Sequence, residues 1–220
     1  MKNSGFEDEK NKQKGNNVND KKLMNNISRS RAKVFEYALC NDFDYFVTLT
    51  LDPEKCNRYD LSKYIKDLSQ MIRNYRRDYG VNIQYLLIPE QHQDGAWHMH
   101  GLLKGLPLDH LRINDNGYYE WEKYTKRFGY MSIGIIENKL AVSKYITKYI
   151  TKSIYDERGV IERNKKLYYA SRGLKTARKI KEGILSVIDN ESIPWTYENE
   201  YIKSIELTAK DLERLLNVLE

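Results

Sequence analysis

Cysteine, proline, histidine and tryptophan are all scarce in this sequence of 220 residues. It contains two cysteines, four prolines, four histidines and three tryptophans. Cys40 and Cys56 do not have CxxC spacing, and no secretion signal accompanies them. We therefore expect reduced cysteines with ordinary packing roles rather than a disulfide or a redox centre.

Long hydrophobic runs are also absent. No stretch approaches the roughly 20 apolar residues that are needed to span a bilayer, and the N-terminus has no apolar segment of the kind found in signal peptides. These absences predict a soluble, cytoplasmic protein with no membrane partner.

Charge of one sign dominates only weakly, with 37 Lys and Arg against 31 Asp and Glu, a net charge of +6 and a pI near 9.0. Such an excess is compatible with nucleic-acid binding but does not identify it. The 18 tyrosines could stack on single-stranded bases, or they could simply reflect an AT-rich coding sequence. Both interpretations remain open.

Apolar periodicity divides the chain into three parts. Residues 1–28 are rich in Asn, Lys, Asp and Glu without periodicity and are predicted to be a disordered tail. Residues 29–175 are predicted to form the endonuclease domain introduced below, and residues 176–220 a C-terminal extension packed on or beside it. Predictions for the extension are weaker, with strands at 185–188 and 201–207 and a helix at 208–219.

The pattern of residues 45–171 predicts an α+β fold. It indicates strands at 45–51, 83–89, 97–104, 130–136 and 167–171, and helices at 61–79 and 138–154, with a tyrosine-rich insert at 106–128. The order strand, helix, strand, strand, helix is typical of a central antiparallel sheet with a split βαβ arrangement, like the palm of ferredoxin and RRM domains.

His98 and His100 are the first chemically informative residues. Side chains two apart on a strand leave the same face, so both imidazoles can converge on one ion. Glu90 joins them if the connecting loop consists of Gln93, Asp94 and Gly95, because that loop pairs Glu90 with His98. A two-residue turn would send the carboxylate to the opposite face. We predict the three-residue loop, with Gly95 in the left-handed conformation.

Two imidazoles and a carboxylate leave coordination positions open for phosphate oxygens and water, as a catalytic ion requires. The expected ion is Mg²⁺ or Mn²⁺. Mn²⁺ is the better match to imidazole, whereas Mg²⁺ is favoured by abundance.

Tyr145 and Tyr149 lie one turn apart on the predicted helix 138–154, each followed three residues later by Lys148 or Lys152. A phenol with a pKa near 10 attacks poorly unless cations stabilise its phenolate, and lowering that pKa by about three units requires roughly 4 kcal/mol. The lysines and the ion could share this task. The pattern thus predicts a tyrosine nucleophile acting on a phosphodiester.

The motifs in order resemble a known family. Phe46-Val-Thr-Leu-Thr50, His98-Met-His100 and Tyr145-Ile-Thr-Lys-Tyr-Ile-Thr-Lys152 resemble the three motifs of HUH-superfamily rolling-circle replication initiators (Rep proteins) of prokaryotic single-stranded DNA phages and small plasmids. The resemblance covers about residues 43–155, and residues 167–174 are also similar to phage members.

The resemblance implies a metal-dependent, site-specific DNA endonuclease and strand transferase. It would nick single-stranded origin DNA in a bacterial or infected bacterial cell, attach to the 5′ end through tyrosine and close a circle. The ion would bind Glu90, His98 and His100, and either one tyrosine attacks or Tyr145 and Tyr149 alternate. No Gly-x-x-x-x-Gly-Lys-Ser/Thr occurs, so a host helicase is expected alongside the polymerase. The alternatives are a transposase or relaxase with the same site, and an inactive origin-binding repressor.

Overall fold

A computed structural model describes residues 5–152, 166–178, 197–198, 203–204 and 207, and side chains within 22–150, 166–178 and 207. The chain divides into two compact units, residues 1–177 and 178–220. The described part of the second unit contains β8 (Tyr197–Glu198) paired antiparallel with β9 (Lys203–Ser204). The strand predicted at 185–188 and the helix predicted at 208–219 lie outside the described residues.

The first unit is built around one antiparallel sheet. Its strands are β1 (Tyr45–Leu51), β2 (Gln84–Gln91), β3 (Trp97–Lys104), β4 (Arg112–Ile113), β5 (Tyr119–Glu120), β6 (Gly129–Ile135) and β7 (Tyr169–Ala170). Its helices are α1 (Gly5–Cys40), α2 (Leu61–Tyr79), α3 (Glu122–Arg127), α4 (Lys139–Ile146) and α5 (Lys148–Lys152), with a 3₁₀ turn at Leu108–His110.

The strand order is β4-β5-β6-β1-β3-β2-β7. Since β1 and β2 both pair antiparallel with β3, they run parallel to each other with β3 between them. The connection through α2 is therefore a split βαβ unit, and the predicted α+β class is confirmed. The predicted strand at 167–171 is reduced to the two residues of β7, which pair with the β2 edge.

Strand β1 separates the sheet into two faces. Its residues alternate strictly between buried and partly exposed, as a β-branched and aromatic strand with helices packed on one side should. We call the face that carries Tyr45, Val47, Leu49 and Leu51 the core face, and the opposite one, with Phe46, Thr48 and Thr50, the site face.

Helix α2 covers the core face and matches the predicted span. The Asp60 side chain accepts a hydrogen bond from the Lys63 N–H at its start, and the left-handed Gly80 ends it. The helix buries a stripe at three- and four-residue spacing that packs on β1 and β3, namely Tyr64, Leu68, Met71, Ile72 and Tyr75. Cys56 packs beside this core, and both cysteines are free, as expected.

Helices α1, α4 and α5 pack together over part of the site face. Helix α1 differs from the prediction of a disordered tail over residues 1–28, because it begins at Gly5 and its Ile27 is buried. Ile27, Val34 and Ala38 recur at helical spacing and join one apolar cluster with Ile146 and Ile150. A sequence with so few apolar residues shows this stripe poorly. The predicted domain start at residue 29 stays a prediction.

The tyrosine-bearing helix is broken, whereas the sequence predicted one helix over 138–154. Helix α4 begins after Asn138, whose side chain accepts a hydrogen bond from the Ala141 N–H, and it ends at Ile146. Thr147 then donates its hydroxyl to the Lys144 carbonyl, which competes with the regular backbone ladder. Helix α5 resumes at Lys148, so a helix boundary lies between the two tyrosines.

The described part of the chain contains no helix long and apolar enough to cross a membrane.

Gly101 of β3 lies where the sheet tolerates no side chain. A Cβ added there would clash with the Leu87 side chain and lie 2.6 Å from the Leu86 carbonyl oxygen. We expect Gly101→Ala to lower the free energy of unfolding by about 1–3 kcal/mol in urea titrations. Gly134 has open space around its Cβ position, so Gly134→Ala is the matched control and should change it by less than about 0.5 kcal/mol. Equal stability of the two variants would contradict the β2–β3 register.

Candidate active site

The β2–β3 hairpin places Glu90 directly opposite His98. Its loop is Gln93, Asp94 and Gly95, closed by hydrogen bonds from the Gly95 N–H to the His92 carbonyl (2.8 Å) and from the His92 N–H to the Ala96 carbonyl (2.9 Å). Gly95 adopts φ +83°, a conformation that glycine enters without strain. Both the predicted register and the predicted left-handed glycine are confirmed. Glu90, His98 and His100 thus share the site face.

His100 is in direct contact with Glu90. Its Nε2 lies 2.7 Å from Glu90 Oε2, and both side chains are largely enclosed. Its Nδ1 lies 3.2 Å from the Thr48 hydroxyl on the neighbouring strand. The imidazole is therefore held at both nitrogens, with Nε2 directed at the carboxylate.

His98 is held differently. Its Nδ1 lies 3.1 Å from the Thr50 hydroxyl, and its ring stacks on that of His92, with centroids 3.6 Å apart and planes 17° apart. Burial first, then the neighbouring His92 and His100, lowers the pKa of His98 to about 4. Its imidazole is therefore neutral near pH 7, as metal ligation requires. The sequence placed His92 on this face but did not reveal that it covers His98.

Tyr149 packs on the His100 ring. The centroids are 3.8 Å apart and the planes 17° apart, and the tyrosine is only 7% exposed. Its hydroxyl lies 2.7 Å from that of Tyr145, which is 44% exposed. Burial and the hydrogen bond to Tyr145 raise the pKa of Tyr149. The two phenols thus form a linked pair, with an inner and an outer member, beside the histidine and carboxylate.

Phe46 is a site residue that sequence analysis placed in a motif without giving it a role. Its ring centroid lies 6.3 Å from that of His100, 5.5 Å from that of Tyr145 and 6.4 Å from that of Tyr149. It fills the space between β1 and the tyrosines. Its position as the aromatic residue on the site face of β1 was the available signal.

The two predicted lysines have different standing. Lys148 Nζ lies 5.4 Å from the centre of the Tyr145 ring, within range of a cation–π interaction. Lys152 is the last residue of α5, and its side chain lies outside the described residues. The structure therefore brings Glu90, His100, Tyr145 and Tyr149 together, with Lys148 at the rim.

The donor set suits a divalent ion. Two adjacent ligands of an octahedral ion at bond lengths of about 2.1 Å lie about 3.0 Å apart. The 2.7 Å between His100 Nε2 and Glu90 Oε2 is close to that separation. Among the residues described, however, no three His, Cys, Asp or Glu side chains are already gathered as a group that could hold a metal ion.

The fold and the site together define a class: α+β proteins whose antiparallel sheet carries paired histidines and a carboxylate next to helical tyrosines. The chain belongs to the ORF2 family of replication-associated proteins, whose model matches residues 44–154, half of the chain. It is therefore a replication-associated protein, and membership implies binding to DNA. This match agrees closely with the predicted 43–155. No curated protein and no solved structure matches the chain.

Proposed function

We propose that this protein is a rolling-circle replication initiator of the HUH type that nicks single-stranded origin DNA through a tyrosine and rejoins the strands. The observation that carries the proposal is the stacking of Tyr149 on His100 while His100 contacts Glu90. This contact joins the nucleophile and the proposed ion-binding groups in one pocket. Family membership supports a role in initiation.

The reaction is a transesterification. The phenol oxygen attacks phosphorus, the bond from phosphorus to the 3′ oxygen breaks, and a 5′-phosphotyrosine remains. The phenol gives up one proton and the departing 3′ oxygen takes one up. The bond energy is conserved, so a later 3′ hydroxyl can attack the phosphotyrosine and reverse the step.

The resting pair of phenols supports a division of labour. Tyr149 is held by His100 and by its hydrogen bond to Tyr145, whereas Tyr145 is the more accessible. Burial opposes ionisation of Tyr149, so its attack requires positive charge nearby. Lys148, next to the Tyr145 ring, supplies charge at the outer phenol. We propose that both tyrosines act, one in nicking and the other in the transfer that closes the circle.

The proposed ion, Mg²⁺ or Mn²⁺, would be held by Glu90, His98 and His100. When bound, it would polarise the scissile phosphate and stabilise the charge that develops there. The residues of the chain do the rest, since Phe46 keeps the tyrosines against the sheet and the threonines hold the histidine rings. Unwinding and synthesis are assigned to a host helicase and polymerase.

The experiment is incubation of the protein with single-stranded DNA from the neighbouring genome and Mn²⁺, followed by a denaturing gel. We expect a covalent protein–DNA band and a shortened DNA strand, both lost in chelator. Binding without an adduct would instead support the repressor alternative. An adduct formed only at transposon ends, rather than at an intergenic origin, would support the transposase alternative.

A further inference from the structure

Two threonines of β1 contact the two histidines of β3 in the same way. Thr48 lies opposite His100 and Thr50 opposite His98 in the strand register. In both pairs the threonine hydroxyl reaches the Nδ1 of the imidazole, at 3.2 Å and 3.1 Å. The arrangement repeats with the two-residue period of the sheet, and neither threonine has a role in the proposed reaction itself.

A hydroxyl at Nδ1 determines which imidazole nitrogen is available. A neutral imidazole carries one proton, and ligation through Nε2 requires that proton to be on Nδ1. A hydroxyl oxygen can accept a hydrogen bond from Nδ1–H, and it can also donate to a bare Nδ1. The same contact therefore holds the ring both before and after an ion arrives at Nε2.

The remaining contacts show that Nε2 is the atom directed into the site. His100 Nε2 faces Glu90 Oε2 at 2.7 Å. The ring of His98 is covered on one side by His92, so rotation about its side chain would break both that stacking and the contact with Thr50. Threonine suits this task because its β-branched side chain has a restricted χ1, which fixes the direction of the hydroxyl.

We infer that Thr48 and Thr50 are positioning residues that orient His100 and His98 for divalent-ion binding and favour the Nδ1–H tautomer. The inference rests on the proposed function, because it assigns these residues to the same site. Outer partners of this kind tune metal affinity, and losing one typically costs 10–100-fold.

The test is Mn²⁺ titration calorimetry on the full chain. The Thr48→Val/Thr50→Val double variant keeps the branched shape and removes both hydroxyls, and we expect it to bind Mn²⁺ about 10–100-fold more weakly than the wild type. The Thr48→Ser/Thr50→Ser variant keeps the hydroxyls and should bind within about 3-fold of the wild type, because only rotamer restriction is lost. Ser132→Val, at the exposed position beside Thr48 on β6, is the matched control and should leave the affinity unchanged.

A second measurement separates positioning from folding. Imidazole ¹⁵N spectra should show His98 and His100 in one tautomer in the Mg²⁺-loaded wild type and in mixed tautomers in the valine variant. Equal Mn²⁺ affinity in the valine variant and the wild type would overturn the inference alone. Equal loss in the serine and valine variants would also overturn it, since the hydroxyl would then be irrelevant. A wild type that binds no Mn²⁺ would instead overturn the metal role in the proposed function, and this inference with it.

Discussion

Replacing both Tyr145 and Tyr149 with phenylalanine is expected to reduce the covalent protein–DNA adduct to less than about one thousandth of the wild-type yield. The double variant keeps both rings, including the stacking on His100, and removes only the attacking oxygens. We expect each single variant to lower the yield without abolishing it, because the two hydroxyls lie 2.7 Å apart and either one is beside the site. The measurement is the yield of radiolabelled adduct on a denaturing gel.

Tyr130→Phe is the control for this experiment. Tyr130 lies next to Thr50 in the strand register, and it is 67% exposed. It loses the same phenol oxygen from the same sheet face, yet it should form the wild-type amount of adduct. An adduct that survives the double change would assign the nucleophile to another residue. Loss of the adduct in Tyr130→Phe as well would indicate an effect on DNA binding rather than on chemistry.

Removing either histidine is the second change with a large expected effect. Mn²⁺ at about 100 times its Kd should stabilise the wild type by about 2.7 kcal/mol, which corresponds to a rise in Tm of about 5–10 °C for a unit of this size. We expect His98→Ala and His100→Ala each to lose this rise and to lose nicking, because Nε2 is the ion-facing nitrogen. Binding to single-stranded DNA should remain, since it depends on contacts beyond these two side chains. Differential scanning fluorimetry with and without Mn²⁺ measures the shift.

His110→Ala provides the matched histidine control. His110 lies outside the site, with its Nδ1 2.7 Å from the Tyr75 hydroxyl. Its loss should lower the Tm without Mn²⁺, because Tyr75 loses a partner, while the rise with Mn²⁺ is retained. If His98→Ala keeps the full rise, or if cleavage by the wild type continues in chelator, the metal role is refuted.

Much of the site was predictable because it depends on local rules. The two-residue period of β3 put His98 and His100 on one face, and the loop with Gly95 determined that Glu90 would join them. Both rules need only neighbouring residues and the geometry of a hairpin.

Contacts between distant segments were not predictable in the same way. The stacking of His92 on His98 and the insertion of Phe46 between His100 and the tyrosines depend on rotamers that the sequence does not specify. The break at Thr147 depends on a hydroxyl choosing a backbone carbonyl over solvent. The helical state of residues 5–28 was missed for a related reason, since Ile27 is stabilised by packing on distant residues rather than by local propensity.

The sequence by itself determined the strands, the faces of the sheet and the set of donor and phenol groups, because strand and helix periods assign each side chain a direction. Only the tertiary structure decided that Tyr149 would be the inner phenol on His100 and Tyr145 the outer one. That difference arises where α4 and α5 settle on the sheet against α1. Such packing is decided by apolar contacts among segments more than a hundred residues apart, which no local pattern encodes.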